Sequence, residues 1–245
     1  MNFKKKKLIS NPFPILIVEN CLKDSSQKKI IREIEKAEKE KEVKKVMGGR
    51  YQYSKNFLEK NGYCNKIYDF FNKKSTFEFL FNQIYKSSNN FLINKNKYNS
   101  YLKNRGKKDN IFKKIFPKIY KNKFYLDMDF SIAKKNYFRT PHFDRNSRIL
   151  SFLIYLNTTK KSNGGSLEIY KYKKNKDSNF DRFPLKKNLK LVKKIKPKFG
   201  TFISFLSSPD SIHGVEKFKG KFDEKRIFLY GSYTSFQDVD WKVNH

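Results

Sequence analysis

The spacing of apolar positions changes character half-way along the chain. In the first half, apolar residues return every three or four positions, as on one face of a helix. Ile30, Ile31, Ile34 and Ala37 form such a stripe, with Asp24 or Ser25 as the cap. Its charged tail runs to about Lys45, and Gly48-Gly49 closes the segment. Over 65–93 the same period returns in Phe70, Phe77, Leu80, Phe81 and Ile84, predicting a second helical stretch. Ahead of both, Ile15 to Val18 is a short apolar run preceded by prolines, expected as an edge strand. The polar, basic stretch from Asn94 to Lys123 predicts little beyond a helix at Ile111 to Tyr120, broken around Pro117.

From Phe124 the period falls to two. Phe124 to Phe130 alternates, Arg148 to Asn157 is almost wholly apolar, and Asn163-Gly164-Gly165 is a turn before Ser166 to Tyr170. Leu189 to Ile195, Gly200 to Leu206, Ile212 to Lys217 and Arg226 to Phe236 complete the set. About eight strands without intervening helices point to an antiparallel sandwich or jelly roll. The basic segment Lys171 to Asn188 is expected to be a loop inserted in it. The chain thus divides into an N-terminal strand plus helical support region (1–123) and a β core (124–245), packed as one unit. No internal repeat is present.

Composition supports a folded chain. At 245 residues it can bury a sizeable core, and 25 Phe and 15 Tyr supply packing material. The formal charge is +33, which would attract nucleic acid, anionic lipid or acidic glycans. Yet only eight of the 56 basic residues are Arg, and Lys, Asn, Phe, Ile and Tyr are all abundant. An AT-rich coding bias gives this vocabulary without functional demand, and the charges are scattered. Cys21 and Cys64 form no CxxC and are expected as reduced, buried thiols. Lys4 to Lys7 precede an apolar stretch, but Asn11, Pro12 and Pro14 break it, and it lacks a small-residue cleavage site. No apolar run approaches the ~20 residues of a membrane span. A soluble cytoplasmic protein is expected.

The chemistry concentrates in the β half. The chain has three histidines. His142 stands two residues before Asp144, and His213 follows 71 residues after His142. Two imidazoles and one carboxylate are a ligand set for a non-haem Fe(II) with open positions. A structural zinc would want four ligands, usually with thiolates, and neither cysteine is near. In a strand, residues two apart share a face, so His142 and Asp144 would point together, with His213 brought across from the opposite sheet. Arg226 opens the next strand and suits an anionic co-substrate. His245, at the chain end, has no motif around it. Alone, His-x-Asp reads much better as two ordinary polar residues at a strand end, since the tripeptide is common by chance; the ordered set with His213 and Arg226 shifts the balance to the metal.

The ordered segments resemble a known family. They are Pro141-His142-Phe143-Asp144, Arg148 to Asn157, Gly164-Gly165-Ser166-Leu167, Lys196 to Thr201, His213-Gly214-Val215 and Arg226. Together they are similar to the 2-oxoglutarate- and Fe(II)-dependent dioxygenases, in their prolyl 4-hydroxylase-like branch. The resemblance covers roughly residues 12–235 and is strongest from 137. It implies a double-stranded β-helix core (jelly roll, cupin-like) with flanking helices. It implies Fe(II) held by His142, Asp144 and His213, and Arg226 on the distal carboxylate of 2-oxoglutarate with the Tyr155 hydroxyl beside it. The implied reaction uses O₂, releases succinate and CO₂, and hydroxylates a substrate. There are two departures from the pattern. Phe228 stands where a Ser is usual, and Lys217 to Lys225 lengthens the approach to Arg226, which could move its register.

The resemblance leaves the substrate open among a peptidyl proline, a free amino acid and a glycan. The N-terminal helices and the segments 94–123 and 171–188 are expected to shape that choice, their lysines and tyrosines suiting an anionic or hydroxyl-rich substrate. Two alternatives stand beside it. One is a nucleic-acid demethylase of the same superfamily, which would carry R-x-N-x-T-x-R where this chain has Arg226, Phe228, Tyr230 and Ser232. The other is a non-catalytic basic jelly roll that binds nucleic acid or another polyanion.

Overall fold

The computed structural model describes residues 1–40, 43–46, 49–53, 58, 62–87, 91–103, 107–173 and 181–243. The N-terminal half runs β1 (Lys6–Ile9), β2 (Ile15–Val18), α1 (Gln27–Lys39), β3 (Val43–Val46), β4 (Arg50–Tyr53), α2 (Tyr63–Phe71), α3 (Lys74–Tyr85), β5 (Phe91–Leu92), β6 (Ser100–Tyr101), α4 (Lys107–Ile115) and α5 (Pro117–Tyr120). The second half is β7 (Lys123–Ala133), β8 (Arg139–His142), β9 (Arg148–Tyr155), β10 (Leu167–Tyr172), β11 (Leu189–Ile195), β12 (Phe202–Leu206), β13 (His213–Val215), β14 (Arg226–Ser235) and β15 (Lys242–Val243).

A large sheet orders its strands β1-β2-β12-β9-β14-β7-β4-β3, with β6 pairing alongside β7. A four-stranded sheet, β11-β10-β13-β8, supplies the second layer. The pairings in these two layers are antiparallel except β6 with β7. This is a double-stranded β-helix, flanked on the outer face of its large sheet by helices.

Alternation in the central strands explains the two layers of core. In β9, Leu150, Phe152 and Ile154 turn toward the helical layer, while Leu153 and Tyr155 turn into the space between the sheets. β14 does the same: Ile227, Leu229 and Tyr233 face the helices, and Phe228 faces inward. Both faces are covered, so these strands are buried along most of their length. The helices complete the outer core with aromatic contacts such as Phe71 on Phe152, stacked at 4.3 Å. Each buried phenyl contributes roughly 1.5–3 kcal/mol relative to exposure.

Several expectations change. Ile15–Val18 is not an edge strand, because β1 pairs outside it and β12 inside it. Helix α1 stops at Lys39, and a hairpin of β3 and β4 replaces its expected charged tail; Gly48 lies outside the described residues. The helical stretch 65–93 is two helices and a strand. It breaks at Asn72, whose side-chain oxygen accepts the Tyr101 hydroxyl at 2.5 Å. The break around Pro117 is found, between α4 and α5. Of the predicted loop 171–188, β10 takes the start, and 174–180 lie outside the described residues. Cys21 and Cys64 are free and buried, and burial pushes the Cys21 thiol up to about 12. Among the described residues, no helix is long and apolar enough to cross a membrane.

Candidate metal centre

His142 and His213 are Cα partners in the ladder of β8 and β13. They come from neighbouring strands of the small sheet, not from opposite sheets as expected. The strands can close because Gly214 lacks a Cβ; one there would sit 2.9 Å from the Arg139 carbonyl oxygen. The imidazoles lie 4.6 Å apart by ring centroid. Each is oriented by its own chain: Nδ1 of His142 is 2.7 Å from the Thr140 carbonyl, and Nδ1 of His213 is 2.9 Å from that of Ser211. A carbonyl only accepts, so both Nδ1 atoms carry the proton, and Nε2 is left as a lone-pair donor. Burial, reinforced by the facing His213, pushes His142 down to about 3, so it is neutral near pH 7.

Asp144 follows the end of β8 and is 2% exposed. Its Oδ1 accepts from Arg148 Nη1 at 2.5 Å and from the Tyr230 hydroxyl at 3.0 Å, and its Oδ2 accepts from Ser151 Oγ at 2.6 Å. Arg148 Nη1 also donates to the Tyr230 oxygen. Burial opposes the Asp144 charge, but Arg148 and the Ser151 hydrogen bond outweigh it and hold the carboxyl well below the usual range. The ligand atoms of His142, Asp144 and His213 all lie within 4.8 Å of one another. Two imidazole Nε2 atoms and an ionised carboxylate at this separation fit one divalent ion, with open positions for other ligands.

Arg226 begins β14 opposite Ala133 and is 1% exposed. Its Nε donates to the Gly165 carbonyl at 2.8 Å, while its Nη1 is buried without a hydrogen-bond partner. Gly165 has φ +77°, and a Cβ there would press on the Arg226 side chain at 3.0 Å. Phe228 lies 4.3 Å from the guanidinium carbon by ring centroid, filling the usual Ser position with a cation–π contact. The longer approach has not left the arginine loose. Asn157 brackets it, donating to the Lys225 carbonyl at 2.7 Å and accepting from the Ile227 N–H at 2.8 Å. Lys225 also pairs with Glu38 of α1 at 2.7 Å.

Tyr155 sits behind this arginine, with its ring 5.1 Å from the guanidinium carbon. Its hydroxyl donates to the Ile195 carbonyl at 3.1 Å and accepts the Leu167 N–H at 3.2 Å. It is absent from the described lining of the cavity onto which the other four residues open.

That cavity has a volume of about 330 Å³ and is lined by His142, Asp144, His213 and Arg226. Leu167, Phe205 and Phe228 give it apolar wall. Sequence reasoning missed the residues that hold Asp144 in place. Ser151 is one of few polar residues in the apolar run of β9, a signal that was available; Tyr230 had none. His245 lies outside the described residues.

Residues 128–231 match the sequence model of the 2OG-Fe(II) oxygenase superfamily. Over this segment the chain is similar to that superfamily. The superfamily uses Fe(II), 2-oxoglutarate and O₂, and the matched segment of this chain contains His142, Asp144, Tyr155, His213 and Arg226. No curated protein matches the chain by sequence.

Solved structures share this fold. A prolyl hydroxylase from Trichoplax adhaerens, in complex with a hypoxia inducible factor peptide fragment, is 15% identical with a TM-score of 0.55. That match covers 90% of this chain and 83% of the other. The epimerase SnoN, in complex with Fe³⁺, alpha ketoglutarate and nogalamycin RO, is 10% identical with a TM-score of 0.53, covering 90% of this chain and 78% of its own. A prolyl 4-hydroxylase from Phytophthora capsici is 11% identical with a TM-score of 0.50, covering 91% and 59%. At these identities the likeness establishes the fold.

Proposed function

We propose that this oxygenase hydroxylates its substrate at an iron held by His142, Asp144 and His213, with Arg226 anchoring 2-oxoglutarate. The observation that carries the reading is the pairing of two features in one cavity. One is a three-ligand cluster; the other is a buried guanidinium with an unpartnered N–H. A buried cation without a counter-ion is costly, and a carboxylate ligand offsets that cost. Bound there, iron and 2-oxoglutarate supply O₂ activation, with release of succinate and CO₂.

The chain's own residues do the rest. Thr140 and Ser211 carbonyls fix the imidazole tautomers. Arg148, Tyr230 and Ser151 keep Asp144 ionised and aimed. Gly165, Phe228 and Asn157 hold Arg226 in register, and we assign Tyr155 to supporting that arginine through its ring. The apolar wall limits water around the reacting centre. A peptide substrate is supported by the fold shared with the Trichoplax adhaerens prolyl hydroxylase, which was solved with a peptide.

The test is succinate formation from 2-oxoglutarate with Fe(II) and O₂, in the presence of candidate peptides, amino acids and glycans. Wild type is expected to turn over and His142→Ala to fall to background. A wild-type protein that neither binds Fe(II) nor decarboxylates 2-oxoglutarate with any of them would sink the reading.

A further inference from the structure

The cavity that holds the iron-site residues is lined by Arg50, Arg139, Arg145, Arg148, Arg182 and Arg226. These are six of the chain's eight arginines. Among its described lining residues there is no lysine, although lysine supplies most of the 56 basic residues, and the one carboxylate is Asp144. Composition therefore does not explain the cluster. A chain that meets its need for charge with lysine has placed guanidinium groups at one site.

Three of the six are already committed. Arg50 pairs with Asp129 at 2.5 Å, Arg148 pairs with Asp144, and Arg226 is assigned to 2-oxoglutarate. Among the described residues, Arg139, Arg145 and Arg182 form no ion pair. Arg182 also buries its Nε without a hydrogen-bond partner. Burial and the charges of Arg145, Arg148 and Arg139 all disfavour its protonated form, so these guanidiniums repel one another across a shared space.

Each of the three sits beside a proposed iron ligand. Arg139 opens the strand that ends in His142, and Arg145 follows Asp144 directly. The Arg182 carbonyl accepts the Phe143 N–H at 3.2 Å, and Phe183 stacks on His142 at 6.1 Å.

We propose that the substrate oxidised here carries an oxyanion, a phosphate or carboxylate group, clamped by Arg139, Arg145 and Arg182. The proposal rests on the iron-site reading above for the chemistry, but the clamp itself is a separate property. Guanidinium forks match the paired oxygens of phosphate and carboxylate, which a lysine point charge does not. A bound oxyanion supplies the counter-charge that the three arginines lack and an acceptor for the buried Arg182 Nε.

The experiment titrates the full-length, metal-free protein with inorganic pyrophosphate and with citrate by calorimetry. In parallel, N-oxalylglycine is titrated in the presence of Mn(II) to report on the 2-oxoglutarate site. At least one anion is expected to bind wild type. R145Q/R182Q is expected to weaken it by about tenfold or more, the effect of losing one or two charge-assisted hydrogen bonds. R145K/R182K, which keeps the net charge, should still lose several-fold. Both variants should keep N-oxalylglycine affinity within about twofold of wild type, while Arg226→Gln loses N-oxalylglycine and keeps the anion. Stronger pyrophosphate binding identifies a phosphoryl substrate and stronger citrate binding a carboxylate, and either upholds the clamp. Failure of both anions to bind overturns it. So does an equal loss in K190Q/K193Q, which removes two exposed charges of β11, because bulk charge would then explain the binding. Anion binding without any metal-dependent N-oxalylglycine binding would leave the clamp standing and overturn the proposed function.

Discussion

At the scale of single residues, Arg226 ties stability to function. It is fully buried, its Nη1 is unpartnered, and no carboxylate among the described residues pairs with it. Removing such a charge relieves a penalty that removing a paired one does not. Metal-free Arg226→Met is therefore expected to be at least as stable as wild type in urea unfolding. Adding 2-oxoglutarate at ~100 times its Kd to the metal-loaded protein should stabilise wild type by a further ~2.7 kcal/mol and the variant by nothing. A variant clearly less stable than wild type would show that the Gly165 hydrogen bond and the Phe228 contact outweigh the buried charge.

The acid response is also set by single groups. Folded His142 takes up a proton only near pH 3, whereas the unfolded chain takes one up near ~6.5. Between these values the unfolded state binds more protons, so stability falls as pH drops. Asp144 acts in the same sense further down. Its folded carboxyl is held below its unfolded value, so its contribution, present above pH ~4, is lost as pH falls below that. Urea midpoints of the metal-free protein should decline from pH ~6.5 downward, by at most about 1.4 kcal/mol per pH unit from His142. His142→Gln should remove most of that slope above pH ~4; an unchanged slope would place the titration elsewhere.

At the scale of elements, legibility followed burial symmetry. β11 was read residue for residue from its alternation, and β9, β12 and β14 from their apolar runs. The β1 strand and the β3–β4 hairpin were missed because β1 and β3 carry lysines where an apolar alternation would mark a strand, and β4 takes its second partner from the distant β7. Local pattern carries no signal for such partners. The His142–His213 pairing was misassigned for the same reason, since register between strands 71 residues apart is a tertiary property. The ligand types themselves were legible because three histidines in 245 residues leave little to choose from. Asn157 shows what spacing alone could not. Its amide closes on residues 225 and 227, so the long approach to β14 does not shift the arginine. Asn157→Ala should cost about 1–3 kcal/mol of stability and raise the KM for 2-oxoglutarate about tenfold, with iron affinity retained. An unchanged KM would mean that β7 alone sets the register.

At the scale of the whole molecule, the two kinds of cation are placed differently. Lysines are spread over the surface and meet few acids, whereas arginines gather at one cavity. A net charge of +33 makes the folded state repel itself. Raising ionic strength from about 0.02 M to about 0.3 M shortens the screening length severalfold and should raise the melting temperature by several degrees. A flat response would show that the surface charges already compensate one another. Nucleic-acid affinity that is strong in low salt and lost steeply in high salt would belong to this lysine surface.

The ladder that joins the two histidines has a further consequence. β8 is one of the two edge strands of the small sheet, held to β13 by a short, irregular pairing. An ion bound by His142 and His213 would act as a cross-strand staple at the place where the ladder is weakest. Metal should therefore slow amide hydrogen exchange at 139–142 and 213–215 far more than in β9 or β14. Uniform slowing across both sheets would argue against it. Seen this way, one edge of the small sheet closes when the metal arrives, and the metal guards a strand that could otherwise pair with another chain.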